Sequence, residues 1–293
     1  MNKKKIILGT AQFIKNYSLF KKNISNNEKR KILKYFNRSG CRFFEVSPNY
    51  GDSENFLGKK LKNKKIIWKL PKLPEDNHNI EGWIYNTLKR SLLKLKEKKI
   101  HILMIHNSED LLKSKGLKLF QIIKDLQKKG YFYKLGVSVY KKQILNQIIK
   151  KFKIDVVQLP FNILNYEFTE NDLIVLKKKN KKLEIHARSV FHQGLLLKKI
   201  NKPKKKFKNL INEQNKIITK LEDHCLKNEY NLFQLCFSFV IKNKLIDKVL
   251  IGVESVQELK KILNFKKKPI NLYPKIKYNK KILNPISWLK LKY

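Results

Sequence analysis

Four residues of this 293-residue chain could together transfer a proton. Glu45, Lys69 and His106 each lie in or directly after a short apolar run, and Tyr50 follows Glu45 by five positions. A buried lysine can stabilise a phenolate, which makes tyrosine a usable general acid, and a carboxylate keeps such a lysine in place. A histidine beside them can hydrogen-bond a substrate carbonyl. These residue types therefore predict a proton-transfer site, provided that the fold brings them together.

Other polar residues lie at or just after the carboxyl ends of the remaining apolar runs. They include Ser138, Gln158, Arg188, Ser189 and Ser255, and Gly252 near the end of the last run offers a backbone amide. Such residues can contact a ligand, but Ser138 and Gln158 can equally satisfy backbone groups at strand ends, and Ser255 also fits the N-cap of a helix. The chain has no HExxH motif and no CxxC pair, so we predict no metal site.

Short runs rich in β-branched residues alternate with longer amphipathic segments along the chain. The runs predict eight strands: Ile6–Thr10, Phe43–Ser47, Ile66–Leu70, Ile102–Asn107, Lys134–Tyr140, Val156–Phe161, Glu184–Val190 and Lys248–Val253. The amphipathic segments predict helices over Glu28–Asn37, Ile80–Lys96, Leu117–Lys129, Lys141–Phe152, Asn171–Lys179 and Asn212–Ile241, the last broken near Asn228–Asn231. Ser255 and Glu258 have capping-box spacing, which predicts a final helix ending near Leu263.

Eight strand–helix repeats in this length predict an α/β fold, a (β/α)8 TIM barrel with its active site at the carboxyl ends of the strands. We expect a single barrel domain over residues 1–265, and a C-terminal tail over 266–293 packed back on the barrel through Ile282, Leu283 and Trp288. A doubly wound open sheet is the alternative. It is disfavoured because no GxGxxG motif follows the first strand.

The segment Phe44–Gly58, FEVSPNYGDSENFLG, resembles the aldo-keto reductase signature DTAxxYGxSExxLG. Later segments resemble that family's motifs in the family order: Ile67–Leu70, Ser91–Leu95, Met104–Asn107, Gly136–Tyr140, Val157–Asn162 and Ile251–Ser255. Leu8–Phe13 and Arg188–Leu196 are similar to a bacterial branch that is often associated with surface-carbohydrate biosynthesis. The resemblance extends over about residues 6–265.

The resemblance implies an NAD(P)H-dependent oxidoreductase that reduces a small aldehyde or ketone, and the carbohydrate-associated branch suggests a sugar-derived substrate. By position, the catalytic residues would be Tyr50 as proton donor, Lys69 as its pKa partner, His106 orienting the carbonyl, and Glu45 where the family has Asp. The cofactor-binding residues would be Ser138 and Gln158 at the carboxamide and Arg188 at the nicotinamide, with phosphates at Ser189 and at the amides from Gly252 to Ser255.

The chain departs from the family pattern at several positions. Glu45 is one methylene longer than Asp, so its carboxylate must fold back to reach Lys69. Ile14 and Ser18 replace glycines of the first loop, and Ile262 replaces an Asn that often contacts adenine. Glu254 stands where an Arg often contacts the 2′-phosphate. A carboxylate there would repel that phosphate, so either NADP or NAD can be the cofactor.

The chain has 67 Lys and Arg against 23 Asp and Glu, a formal net charge of +44, and is 42% hydrophobic. This apolar content excludes a disordered protein. Nearly all the cations are lysines spread over every segment, a pattern typical of a bias towards A-rich codons. Only five arginines are present, and arginine is the residue that reads phosphates and bases by paired hydrogen bonds. We therefore predict no specific nucleic-acid partner, although a functional basic surface remains the alternative.

The three cysteines form no predicted disulfide framework, which fits a reducing compartment. No apolar run reaches the ~18 residues that a membrane span requires, so we predict no membrane association and a cytoplasmic location. The departures from the family pattern motivate one rival function, a catalytically impaired barrel that binds a nucleotide or carbohydrate. The oligomeric state is not predicted.

Overall fold

Eight parallel strands close into a barrel in chain order, so that β1 pairs with both β2 and β8. This computed structural model describes residues 2–15, 17, 23–59, 61, 63–74, 79–164, 167–201, 208–266, 270 and 273–276. The strands are β1 Ile6–Gly9, β2 Phe43–Val46, β3 Lys65–Leu70, β4 Ile100–Ile105, β5 Phe132–Ser138, β6 Val156–Pro160, β7 Glu184–Arg188 and β8 Lys248–Ile251. The predicted TIM barrel is confirmed, and every strand lies within two residues of its predicted bounds.

Nine α-helices occur in the described part of the chain: α1 Asn26–Arg38, α2 Ser53–Gly58, α3 Ile80–Leu95, α4 Gly116–Lys128, α5 Lys142–Lys151, α6 Glu170–Lys179, α7 Lys208–Lys227, α8 Leu232–Ile241 and α9 Val256–Leu263. The predicted break between α7 and α8 is confirmed. Asn231 causes it, because its side chain accepts the Gln234 amide at 3.0 Å and starts a new helix. Helix α2 was not predicted, since six residues are too few to show a helical period.

The predicted capping box at α9 is only half formed. Ser255 Oγ accepts the Glu258 amide at 3.2 Å, as a box requires. The Glu258 carboxylate, however, accepts the amide of Glu254 at 2.8 Å instead of that of Ser255. The helix therefore begins where it was predicted, but its acidic residue lies over the preceding turn.

The barrel interior has an apolar middle layer, which includes Ile7, Phe43, Ile67, Ile102, Met104 and Val156. Gly136 belongs to this layer, because a Cβ there would lie 2.9 Å from Met104 Sδ and 3.2 Å from Val156 Cβ. Above the layer, at the carboxyl ends of the strands, the inner side chains are polar. Below it, at the amino ends, they form a cluster of ionisable groups. The layer separates these two polar ends of the barrel.

The start of the tail packs against the outside of the barrel. Ile270 and Ile276 are buried in a cluster with residues of α7 and α8, and Tyr273 contacts Phe239 edge-on with ring centroids 5.1 Å apart. The predicted anchors Ile282, Leu283 and Trp288 lie outside the described residues. The division into residues 1–265 and 266–293 stays a prediction. Among the helices that the structure describes, none combines the length and hydropathy needed to cross a membrane.

Candidate active site

A cavity of about 1050 Å³ opens at the carboxyl end of the barrel. Of the ten predicted site residues, eight line it: Glu45, Tyr50, Lys69, His106, Ser138, Arg188, Ser189 and Gly252. Gln158 and Ser255 are absent from the lining, the first because it is fully buried beneath the cavity. The fold thus brings the four residues of the predicted proton-transfer site to one place, as expected from the ends of adjacent strands.

Glu45 and Lys69 form a buried ion pair at the bottom of this cavity. Glu45 Oε1 lies 3.1 Å from Lys69 Nζ, and the two side chains are only 2% and 5% exposed. Neighbouring strands hold both residues, since Glu45 is in register with Ile67 and Lys69 follows on the same face of β3. The Ser47 hydroxyl donates to the Lys69 carbonyl at 3.1 Å, which ties β2 to β3 at this level. The longer glutamate therefore does reach the lysine.

Gln158 binds the other oxygen of the same carboxylate. Its Nε2 donates to Glu45 Oε2 at 2.5 Å, and its Oε1 accepts the Ser138 hydroxyl at 3.4 Å. Ser138, Gln158, Glu45 and Lys69 thus form one chain of polar contacts across the top of the barrel. The predicted carboxamide contact of Gln158 stays a prediction, and in this structure its amide donates to Glu45.

Tyr50 lies in the turn between β2 and α2, where its amide donates to the Ser47 carbonyl at 2.9 Å. Gly51 continues the turn at φ +58°, a conformation that favours glycine. The Tyr50 side chain is 7% exposed. Burial, followed by the charge of Glu45, raises the pKa of Tyr50 far above its ordinary 10.0. Its hydroxyl is therefore protonated near neutral pH, as a proton donor must be.

The structure does not show a direct contact between Tyr50 and Lys69. Within the described residues, no hydrogen bond joins the Tyr50 hydroxyl to the Lys69 ammonium, which faces Glu45 instead. Arg188 is the cation that lowers the pKa of Tyr50, although burial outweighs it. The role of Lys69 as the pKa partner of Tyr50 stays a prediction.

His106 follows β4 and contacts Tyr50 edge-on, with ring centroids 6.3 Å apart. Burial, followed by the charges of Lys69 and Arg188, lowers the pKa of His106 from 6.5 to about 3. The imidazole is therefore neutral at physiological pH. A neutral imidazole carries one N–H donor, which suits it to hydrogen-bond a carbonyl oxygen.

Arg188 ends β7 and is 7% exposed. Its Nη2 donates to the Val139 carbonyl at 3.0 Å, its Nη1 donates to Ser189 Oγ at 3.3 Å, and its guanidinium carbon lies 3.9 Å from the centre of the Tyr140 ring. Its Nε is buried with no hydrogen-bond partner in the described part of the protein. The next residue, Ser189, has φ +59°, which is uncommon for a side chain of this kind. These contacts thus hold the guanidinium against the Tyr140 ring at the cavity wall.

The predicted phosphate site at the start of α9 is already occupied by carboxylates. Glu28 Oε1 accepts the Val256 amide at 2.7 Å, and Glu258 Oε2 accepts the Glu254 amide at 2.8 Å. The Glu254 carboxylate itself accepts Gln12 Nε2 at 2.9 Å. One amide of the predicted Gly252–Ser255 site, that of Glu254, and the adjacent Val256 amide therefore donate to glutamates, and the Glu254 carboxylate lies beside them.

The net charge of the residues that line the cavity differs from that of the whole chain. Its described lining includes five acidic residues, Glu45, Glu222, Asp223, Glu254 and Glu258, and five basic ones, Lys69, Arg188, Lys198, Lys199 and Lys261. The formal charge of the lining is thus balanced, in a protein whose net charge is +44.

Several residues of the cavity wall were not among the predicted site residues, and they include Gln12, Tyr17 and Tyr140. Burial raises the pKa of Tyr17 to about 12, and the nearby Tyr140 and Glu45 add to the effect. Gln12 and Tyr140 could have been found, because each follows or ends a predicted strand. Tyr17 lies eight positions beyond β1, and nothing in its spacing indicates that it lines the cavity.

Comparison with known proteins agrees with this fold. The aldo/keto reductase family model matches residues 5–273. A glycerol dehydrogenase from Gluconobacter oxydans has a similar fold, with a TM-score of 0.65 and 17% identity over 89% of this chain and 85% of that one. An aldo-keto reductase from Bacillus halodurans is also similar, with a TM-score of 0.61 and 16% identity over 80% of this chain and 78% of that one. A search of curated proteins finds no match.

The family match places this closed parallel barrel among the oxidoreductases. The chain belongs to the aldo/keto reductase family.

Proposed function

We propose that this protein reduces an aldehyde or ketone to an alcohol with Tyr50 as the proton donor. The observation that carries the proposal is the buried Glu45–Lys69 pair beside Tyr50 and a neutral His106, all four facing one cavity. When bound, a nicotinamide cofactor supplies the hydride that adds to the carbonyl carbon. His106 donates a hydrogen bond to the carbonyl oxygen. Tyr50 then gives its proton to that oxygen, while Lys69 stabilises the phenolate and Glu45 holds Lys69 in position.

The cavity wall offers groups that suit a dinucleotide. Ser138 supplies a hydroxyl at the inner end, and Arg188 presents a planar cation with one unpartnered buried N–H. These residues would hold the nicotinamide half, and Ser189 would contact a phosphate. Both roles rest on the family resemblance, with the buried Arg188 as their structural support.

We further propose that NAD(H) is preferred over NADP(H). The amides of Glu254 and Val256 donate to Glu258 and Glu28, so an added phosphate would have to displace a carboxylate and would meet the charge of Glu254. Repulsion between like charges in a partly buried site weakens binding of the phosphorylated cofactor.

The substrate and the cellular location are also proposed. Similarity of Arg188–Leu196 to the carbohydrate-associated branch supports a sugar-derived carbonyl compound. Cys41, Cys225 and Cys236 are buried free thiols, which supports a reducing compartment such as the cytoplasm.

A second candidate function is a barrel that binds a nucleotide or carbohydrate without turnover. The missing hydrogen bond between Tyr50 and Lys69 favours it, because a proton donor is activated by such a contact.

Titration calorimetry with NADH and NADPH, followed by assays on a panel of small aldehydes and sugars, tests these proposals. We expect NADH to bind at least about tenfold more tightly, a difference of ~1.4 kcal/mol. Tyr50→Phe should lower kcat by about 1000-fold, within the range for losing a general acid, and leave the Kd of NADH unchanged. Tyr133→Phe, at the opposite end of the barrel, is the control and should be fully active. Equal turnover by Tyr50→Phe overturns the mechanism, and binding without any turnover favours the second candidate.

A further inference from the structure

Gln158 is positioned to act on Glu45. It lies on β6, is completely buried, and is absent from the cavity lining, whereas both of its side-chain partners, Ser138 and Glu45, line the cavity. Through these two partners, Gln158 can affect a ligand in the cavity.

The Glu45–Gln158 hydrogen bond spans the interior of the barrel. In a closed barrel of eight strands, β2 and β6 are separated by three strands on either side, so they lie opposite each other. The contact between them requires two long side chains, and glutamate and glutamine each supply two methylenes. An aspartate at position 45 would be one methylene shorter. The longer acid at this position therefore allows one carboxylate to bind both Lys69 and Gln158.

Each oxygen of the carboxylate has its own partner. Oε1 lies 3.1 Å from Lys69 Nζ, and Oε2 accepts Gln158 Nε2 at 2.5 Å. Beneath them the apolar layer that includes Ile67, Met104 and Val156 excludes other polar partners. A buried carboxylate that lost one partner would reorient to satisfy the free oxygen. Gln158 thus fixes the direction from which Glu45 approaches Lys69.

We propose that Gln158 is a positioning residue for proton transfer, which acts through Glu45 on Lys69 and hence on Tyr50. The inference rests on the proposed function and adds to it, because it explains why position 45 has a glutamate and not the shorter aspartate. Ser138 extends the same chain of contacts to the cavity. The competing role, in which Gln158 only holds the cofactor carboxamide, predicts different kinetics.

A double-mutant cycle with Gln158→Met and Glu45→Asp separates the two roles. Using NADH and the fastest-reduced aldehyde of the panel, we expect Gln158→Met to lower kcat about tenfold to a hundredfold, which corresponds to one lost hydrogen bond to a charged group. The Kd of NADH should change less than about twofold. The solvent deuterium isotope effect on kcat should increase, because proton transfer becomes slower. In the Glu45→Asp background, where the shorter acid cannot bind both partners, Gln158→Met should cost less than about threefold.

Controls keep the result interpretable. Gln127→Met removes a glutamine that donates to the Tyr133 carbonyl far from the cavity, and should leave kcat unchanged. If Gln158→Met does not fold, Gln158→Asn replaces it, since one methylene fewer also breaks the contact. Equal losses of kcat in both backgrounds, or a weakened Kd with an unchanged solvent isotope effect, would overturn the proposal. Full turnover by Tyr50→Phe would instead overturn the proposed function itself.

Discussion

The two ends of the barrel contain similar residues but differ in burial and surroundings. The upper end has Lys69, Glu45 and His106, and the lower end has Lys134, Glu184 and His186. The upper ion pair is almost fully buried, whereas the lower lysine and glutamate side chains are 38% and 24% exposed. Of the two sets, the upper one lines the large cavity together with Tyr50. Residue types alone therefore do not identify the site, and their place at the carboxyl ends of the strands does.

At the lower end, the ionisable side chains form a network of hydrogen bonds and ion pairs with one another. Glu184 binds both Lys134 and His186 Nε2, and the hydrogen bond from His186, together with Lys134, holds the pKa of Glu184 below its usual range. Lys248 lies 4.1 Å from the centre of the Phe43 ring. These contacts close the base of the barrel. Residues at this end of a TIM barrel are expected to stabilise the fold.

Replacing the lysine of each pair should give the largest difference between the ends. Lys69→Met is expected to lower kcat about 1000-fold, because the proposed stabilisation of the Tyr50 phenolate by Lys69 would be lost. It also leaves Glu45 buried without its ion partner, at a cost of about 3–5 kcal/mol in unfolding free energy. Lys134→Met should keep kcat within about twofold and cost at most about 1 kcal/mol, since that pair is partly exposed. Urea unfolding measures the stability of the two variants, and steady-state kinetics measure their kcat. A loss of kcat in Lys134→Met would contradict the view that only the upper end takes part in catalysis.

Replacing the histidine of each end should separate activity from stability. His186 is completely buried in the barrel, so His186→Ala leaves a cavity and should cost about 2–4 kcal/mol while kcat stays nearly unchanged. His106→Ala is expected to lower kcat about 100-fold with a smaller loss of stability, because His106 lies at the cavity wall. Thermal melts and kinetics on the same preparations provide the measurement. The same loss of kcat in both variants would mean that the two ends are coupled.

The smallest effect concerns pH. Burial, followed by the charges of Lys65 and Lys134, lowers the pKa of His101 at the lower end from 6.5 to about 4. Between pH 6.5 and about 4, His101 is protonated in the unfolded state but neutral in the folded state. The free energy of unfolding is therefore highest above pH 6.5 and falls as the pH drops towards 4. His101→Gln should reduce this loss by about 2 kcal/mol. Urea unfolding at pH 7 and pH 4.5 compares the two proteins, and an equal loss in both would exclude His101 as the cause.

The fold could be predicted from the sequence because short apolar, β-branched runs mark the strands and most helices between them are long enough to show their period. The four catalytic candidates could also be placed, since strand ends converge in a barrel. The roles of Gln158 and Glu28 could not be predicted. Gln158 meets Glu45 across the barrel, and Glu28 reaches the Val256 amide 228 positions away. Such contacts depend on side-chain length and on the closure of the sheet, and neither produces a local pattern.

The neutral lining of the cavity, set in a chain of net charge +44, has an evolutionary consequence. Most of the lysines lie outside the cavity lining, so replacing them would leave the charged side chains next to a bound ligand unchanged. A homologue with far fewer lysines could retain the same ligand preference.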